Sequence, residues 1–353
     1  MRNNGQNYMS YLNNLSKEIK TYFKILEPDF PTWLEEYIET PEMRKQAGIS
    51  MTCGTIYAKL FPDSYFYSSL DHSAGVALIV WHFTHDKKQT LAGLFHDIAT
   101  PAFKHCVDYM NGDYMTQEST EELTTEIIES SKEIMRLLKR DGIEVSEIDD
   151  YHKYPIADND TPQLSADRLE YSLSNSLFVY TQNTLEQVKN IYNDLEVQTN
   201  PDGEIELGFK TRKFARDFVR TTSKMSVIYR DNRTRYSMQF IADILKKLSA
   251  DGKINVKDLY ELSEADVIKI IENSEYAKAF EIWKNAEKVK TTDTKPSNVY
   301  YVHHGSKVRY IDPLVKGERI SRVCKIAKNY IDKNLAFDMN KYVYLDGIKE
   351  DLL

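Results

Sequence analysis

Apolar residues recur at spacings of three and four through 8–26, 119–138, 164–194, 212–248, 263–285 and 321–335, the period of helices with one buried face. The chain therefore reads as mainly α. Pro28, Pro31, Pro62, Pro101, Pro155, Pro162 and Pro201 punctuate the pattern, and each marks a helix boundary because proline lacks the amide that a helix interior needs. NPDG at 200–203, between LEVQ and EIELGF, predicts a short β-hairpin. Towards the C-terminus VYYVHH, KVRYIDPLV and KYVYL are rich in β-branched and aromatic residues and predict a small sheet. The stretch from Arg140 to Gln163 is polar, acidic and interrupted by proline, which suits a surface loop or lid. No internal repeat is visible. The organisation this suggests is an N-terminal helical segment over 1–50, a principal helical domain over 51–250, and an α+β segment over 251–353 packed on it.

Composition narrows the functional classes. With 353 residues, 41% of them hydrophobic, the chain can bury a full core. Its longest apolar run, AGVALIVW at 74–81, is far too short to cross a bilayer, so a soluble, cytoplasmic protein with no membrane partner is expected. Cys53, Cys106 and Cys324 are widely spaced and odd in number, which supports neither a disulfide framework nor a zinc ribbon; reduced, buried thiols are the expectation. The net charge of −8 argues against a sequence-independent grip on a nucleic-acid backbone. A small anionic ligand is compatible if cations gather locally.

The chemistry concentrates in YSSLDHSAGVALIVWHF (67–83) and LAGLFHDIATPAFKHCVDYMNGD (91–113). His72 begins one apolar helical segment, and His96 with Asp97 ends another, so each polar group falls where a buried helix meets a cavity. Neutral imidazole nitrogens and carboxylate oxygens are good ligands for divalent transition metals and magnesium, and His96 and Asp97 can reach one ion together. A lone histidine is ordinarily a satisfied structural residue; the constellation is what points to a metal. His82, His85 and Asp86 read instead as polar groups at a helix end. His303 and His304, adjacent in a strand, point to opposite faces and read as a surface turn. Lys104 reads as a cation pointing to water.

The spaced pattern H, HD and D, carried here by DHS, FHDIATPAFKH and SADRLEYSLSN, resembles the HD superfamily of metal-dependent phosphohydrolases, and within it the deoxynucleoside triphosphate triphosphohydrolase (dGTPase-like) branch. The resemblance covers roughly 65–180 and extends weakly through 212–248 and KVRYIDPLV, by motif spacing. It implies an HD-domain helical bundle with a small C-terminal β element. It also implies one divalent ion (Mn, Fe, Mg, Zn or Ni) held by His72, His96, Asp97 and Asp167. By the same correspondence His105 and Asp108 take the catalytic places, Arg168 that of a phosphate-binding cation, and Tyr171 that of an aromatic beside the sugar. Arg230, Arg233 and Arg235 in RDNRTR offer further positive charge, Arg233 being the one assigned to substrate.

Departures from the family pattern bear on substrate. Ser69 stands where an arginine usually precedes the first histidine by three residues; Thr100 and Gln117 replace two further histidines, and Asn175 replaces the last acidic residue of the segment beginning at Arg168. Thr100, Gln117 and Asn175 remain able to hydrogen-bond a phosphate or water and are assigned to substrate binding. The resemblance implies hydrolysis of a nucleotide or related phosphate ester, a deoxynucleoside triphosphate among the candidates. Two other classes stay open, a cyclic (di)nucleotide phosphodiesterase and a nucleotide-sensing protein with little turnover, and so does a homo-oligomer.

Overall fold

The structure, a computed structural model, describes residues 10–62, 65–117 and 123–352, so the starts of the helices expected from 8 and from 119 lie outside the described residues. The molecule is mainly helical, and most long periodic tracts are split by a local cap. Residues 8–26 give α1 (Tyr11–Asn14) and α2 (Lys17–Leu26), because the Ser16 hydroxyl accepts from the Ile19 amide and restarts the helix. Ser131 separates α8 (Thr124–Ser130) from α9 (Lys132–Asp141) in the same way. Asp231 caps α13 (Asn232–Ala250) and ends the tract begun by α12 (Arg212–Ile228). Residues 164–194 hold α10 (Ala166–Ser174), a π-helical turn at Asn175–Val179, and α11 (Leu185–Asn193).

At the centre lies α5 (Ser69–Thr84), buried on every face from Ser69 to Val80. A helix apolar all round has no solvent stripe and must be enclosed by neighbours. Here α6 (Lys87–Phe95), α10 and α2 enclose it.

NPDG forms the expected turn: the Asn200 side chain accepts from the amides of Asp202 and Glu204, and β1 (Leu195–Thr199) pairs antiparallel with β2 (Ile205–Phe209). The C-terminal β-rich segments separate into two sheets. KYVYL pairs with VYYVHH on one side and with residues 290–292 on the other, whereas Leu314–Val315 of KVRYIDPLV runs parallel to β2 and extends the hairpin sheet. The rest of KVRYIDPLV is irregular and crosses between the two sheets.

Two hydrophobic cores result. One joins Tyr11–Met43, α5, α6, α8 to α12 and residues 311–331; the other joins residues 53–61 and 102–109 to α13 and to buried side chains of 254–302 and 343–348. No helix among the described residues is long and apolar enough to cross a membrane.

Candidate active site

Three chain segments converge where the first core meets the second. Ser68 caps α5 in a reciprocal box with Asp71, whose carboxylate also accepts from the Tyr11 hydroxyl at 2.8 Å. This fixes the first turn and sets His72 on the inner face. Helix α6 stops at Phe95, leaving His96 and Asp97 in the turn beyond. The Ser165 hydroxyl caps α10, and Asp167 and Glu170, three residues apart, face α5 together.

These segments bring His72 Nε2 within 3.2 Å of His96 Nε2 and within 3.2 Å of Asp167 Oδ1. Asp97 Oδ2 lies 3.9 Å from the first imidazole nitrogen and 3.7 Å from the second, and Asp167 Oδ1 is 3.7 Å from His96 Nε2. The far sides of both rings are occupied. His96 Nδ1 donates to the Gly93 carbonyl at 2.7 Å, and His72 Nδ1 meets the Glu170 carboxylate, so both Nε2 lone pairs face the same point. His72, His96 and Asp97 form a group able to hold a metal ion.

The electrostatics suit a cation. Burial pushes the Asp97 carboxyl up, but the Lys104 ammonium and the two imidazoles outweigh it and hold the group well below the usual carboxylate range. At Asp167 burial is likewise outweighed, chiefly by His72, and the carboxyl settles at about 2. Burial depresses His72, yet Glu170 and Asp167 raise it to about 9, so a proton occupies this ring unless a metal displaces it.

The donors line one end of a cavity of about 860 Å³. Met51, Cys53, Tyr171, Tyr180, Tyr229 and Met238 give its wall a more apolar and aromatic section. His105 lines the cavity with 34% of its side-chain surface accessible, and its Nδ1 donates at 2.9 Å to Asp108, which is fully buried. Gln117 and Asn175 also line it; the Gln117 carbonyl oxygen accepts from Arg309 at 2.6 Å, and the Asn175 amide donates to the Tyr229 hydroxyl at 3.1 Å. Arg168 is on the wall but is held by Asn159 at 2.6 Å and Asp158 at 3.2 Å.

Two of the expected substrate residues lie elsewhere. Thr100 is outside the wall, and its carbonyl accepts from Lys45 at 2.8 Å and from Gln46, because the turn after Asp97 directs it towards the end of α4 (Pro41–Lys45). Arg233 also lies off the wall, pairing with Asp231 at 2.8 Å and stacking over Phe61. Arg230 and Arg235 are buried against Asn334 and the His304 carbonyl, so the RDNRTR arginines tie helices to the C-terminal segment instead of lining the cavity. Lys104 does not point to water: it is 6% exposed and donates to Asp97 Oδ2 at 2.6 Å. His82 pairs with Glu27 at 3.1 Å and His303 stacks on Tyr342, consistent with structural roles for both histidine pairs.

Sequence reasoning missed four contributors. Glu170 sits three residues after Asp167, a spacing that could have flagged it. Arg309, which reaches the cavity from the irregular stretch before Leu314, lies in the KVRYIDPLV segment to which the resemblance extends only weakly, and no spacing singles it out. Tyr151 and His152 come from the stretch expected to be a lid, and the Tyr151 ring packs 5.1 Å from that of His96.

No protein-family model matches the chain. It is 24% identical over 290 residues to the uncharacterized protein YdhJ of Bacillus subtilis, covering 80% of this chain and 83% of that one. It is 23% identical over 295 residues to an uncharacterized protein of Mycoplasma genitalium, covering 74% and 68%. Among solved structures it resembles a phosphohydrolase from Bacteroides thetaiotaomicron, with a TM-score of 0.60 and 14% identity over 89% of this chain and 96% of that one. A hypothetical protein from Aquifex aeolicus superposes with a TM-score of 0.60 and 15% identity over 90% and 93%. At these identities the solved structures share the fold of this chain.

Proposed function

We propose that this chain is a metal-dependent phosphohydrolase of the HD type, acting on a nucleotide or related phosphate ester, with deoxynucleoside triphosphates among the candidate substrates. One observation carries the reading: the Nε2 atoms of His72 and His96, with occupied far sides, lie 3.2 Å apart, and a carboxylate oxygen of Asp97 and one of Asp167 each lie 3.2–3.9 Å from both, on the wall of a cavity large enough for a nucleotide. The fold shared with a protein described as a phosphohydrolase supports it.

The donor set fits a divalent ion. Nitrogen and oxygen donors in this ratio suit Mn, Fe, Zn, Ni or Mg, and His72, His96, Asp97 and Asp167 are the proposed ligands. When bound, the ion would draw charge from a phosphoryl oxygen and make water a better nucleophile. The residues do the rest. Asp108 accepts the Nδ1 proton of His105, which leaves Nε2 to take a proton from the attacking water and return it to the leaving oxygen as the phosphorus–oxygen bond breaks. Arg168, Arg309 and Lys104 supply positive charge along the wall, and the tyrosine-rich section offers ring faces to a base or sugar.

The test is to load the purified protein with each candidate metal and screen nucleotides for release of phosphate, pyrophosphate or triphosphate. Nucleotide binding without product from any metal form would replace hydrolysis with the sensing reading. Among the described residues one such His/Asp group occurs, which favours a single-metal site over a two-metal phosphodiesterase.

A further inference from the structure

Four lysine and arginine side chains line the cavity among the described residues: Lys104, Arg168, Lys307 and Arg309. Arg168 and Arg309 are tied to Asp158, Asn159 and Gln117, none of which is a proposed metal ligand. Lys104 differs. Its ammonium donates to Asp97 Oδ2 at 2.6 Å and to the Ser69 hydroxyl at 3.3 Å, and the residue is buried. The backbone that delivers it is unusual, since Phe103 and Lys104 are consecutive non-glycine residues in the left-handed region, at φ 65° and 45°. Non-glycine residues seldom adopt that conformation, and such departures gather at functional sites.

Asp97 Oδ2 is also the oxygen that faces both Nε2 atoms. A divalent ion on that oxygen and an ammonium 2.6 Å from it would repel each other, so an ion bound there would weaken the hold of Asp97 on Lys104. The other partner shown for the ammonium, Ser69, is neutral. A buried ammonium without an anion is strongly unfavourable, and an anion entering the cavity relieves it.

We propose that Lys104 is a substrate-binding residue switched by the metal. It neutralises Asp97 while the donors hold no ion, and turns to a phosphoryl group of the substrate once they do. The proposal rests on the phosphohydrolase reading above and adds a specific consequence: the metal creates the phosphate site partly by freeing this cation.

The test measures binding and requires no turnover. Metal affinity, and affinity for inorganic phosphate by equilibrium dialysis with and without bound Mn²⁺, are compared in wild type, Lys104→Gln and Lys104→Arg. Lys104→Gln should bind Mn²⁺ several-fold more tightly, because a competitor for Asp97 is gone. It should bind phosphate at least about tenfold more weakly in the Mn²⁺ form, the scale of one lost charge-assisted contact, while the metal-free proteins differ little. Lys104→Arg should stay within about threefold of wild type. If Lys104→Gln does not fold, Ser69→Asp tests the same point by placing an anion beside the ammonium, and should likewise weaken phosphate binding in the Mn²⁺ form. A Lys104→Gln protein that loses Mn²⁺, or keeps it and binds phosphate as wild type does, overturns the proposal. Mn²⁺-loaded wild type that binds no phosphate and turns over no nucleotide sinks the phosphohydrolase reading itself.

Discussion

At His105 two influences on the imidazole oppose each other. Burial lowers its proton affinity, helped by Arg309 and Lys104, while the bond to Asp108 raises it, and the net shift is downward from the ordinary value. The ring is therefore neutral near pH 7, with its proton on the nitrogen that faces Asp108, which is the state a proton acceptor needs. If His105 performs the transfer, His105→Ala should cut kcat by about two to four orders of magnitude while metal content and melting temperature hold. A histidine that only packs would show the reverse, a lower melting temperature and nearly unchanged turnover per folded molecule. The metal donors obey a different rule. His96→Ala or Asp97→Ala should abolish stoichiometric metal and activity together, since each removes one of the four proposed ligands from a site whose geometry is set for all of them; elemental analysis that finds a full complement of metal in either variant would refute the ligand set. Arg168→Ala should leave the metal in place and weaken substrate binding or turnover, by about ten- to a hundredfold if one charge-assisted phosphate contact is lost. Lys104 shows why a charged residue can be misread from sequence: lysines are mostly exposed, and a pair of left-handed backbone residues that swings one inward leaves no trace in periodicity.

The contact between α5 and α10 is the element on which the site depends. Asp167 and Glu170 grip the two ring nitrogens of His72 from one face of α10, and Glu170 in turn accepts from the hydroxyls of Tyr67 at 2.7 Å, Tyr22 at 3.2 Å and Ser174 at 3.2 Å. Gly75 makes this approach possible: a Cβ there would lie 2.7 Å from Glu170 Oε1 and 2.8 Å from its Cγ. In an unencumbered helix Gly→Ala gains about 0.8–1.0 kcal/mol, but overpacking a buried contact costs about 1–3 kcal/mol, so the steric term wins. Gly75→Ala should therefore lower the melting temperature and, by tilting the His72 ring, weaken metal affinity about ten- to a hundredfold. A variant with unchanged metal affinity would mean that Glu170 does not orient the ring. The helices themselves were legible because their apolar spacing survives into the fold. Their breaks were legible only in part: Ser131 and Asp231 are ordinary cap residues, yet the helical period of the apolar positions runs through them without interruption. Convergence of 69–72, 96–97 and 167 could be anticipated from motif resemblance. The arrival of Arg309 could not, because it depends on Ser226 and Asn334 fixing its carbonyl at 2.5 and 2.9 Å from two other helices.

At the scale of the whole molecule, a buried carboxyl ties the second core to the turns that shape the cavity wall. Glu264, at the start of α14 (Glu264–Glu272) in the second core, accepts from the Tyr57 hydroxyl at 2.9 Å and also takes backbone amides of Ser50 and Phe103, so it ties α14 to the turns that carry Thr52, Cys53 and Lys104 into the cavity wall. Burial dominates over these bonds and lifts its proton affinity to about 8, against an ordinary value of 4.5. The folded protein thus keeps this proton at neutral pH and the unfolded chain gives it up. Between pH 4.5 and 8 the native state binds up to one proton more than the unfolded state at this group, so its contribution to stability falls as pH rises, by at most about 1.4 kcal/mol per pH unit, and stops changing above about pH 8. Asp167 acts in the opposite sense and at lower pH, losing stability as the solution is acidified below its ordinary carboxylate range. Urea denaturation of metal-free protein at a series of pH values should therefore show a steeper loss of stability from about pH 5 to 8 in wild type than in Glu264→Gln, which keeps a neutral side chain of the same length throughout. Equal slopes for the two proteins would mean that Glu264 is ionised in the fold and that the link between α14 and these turns is a charged one.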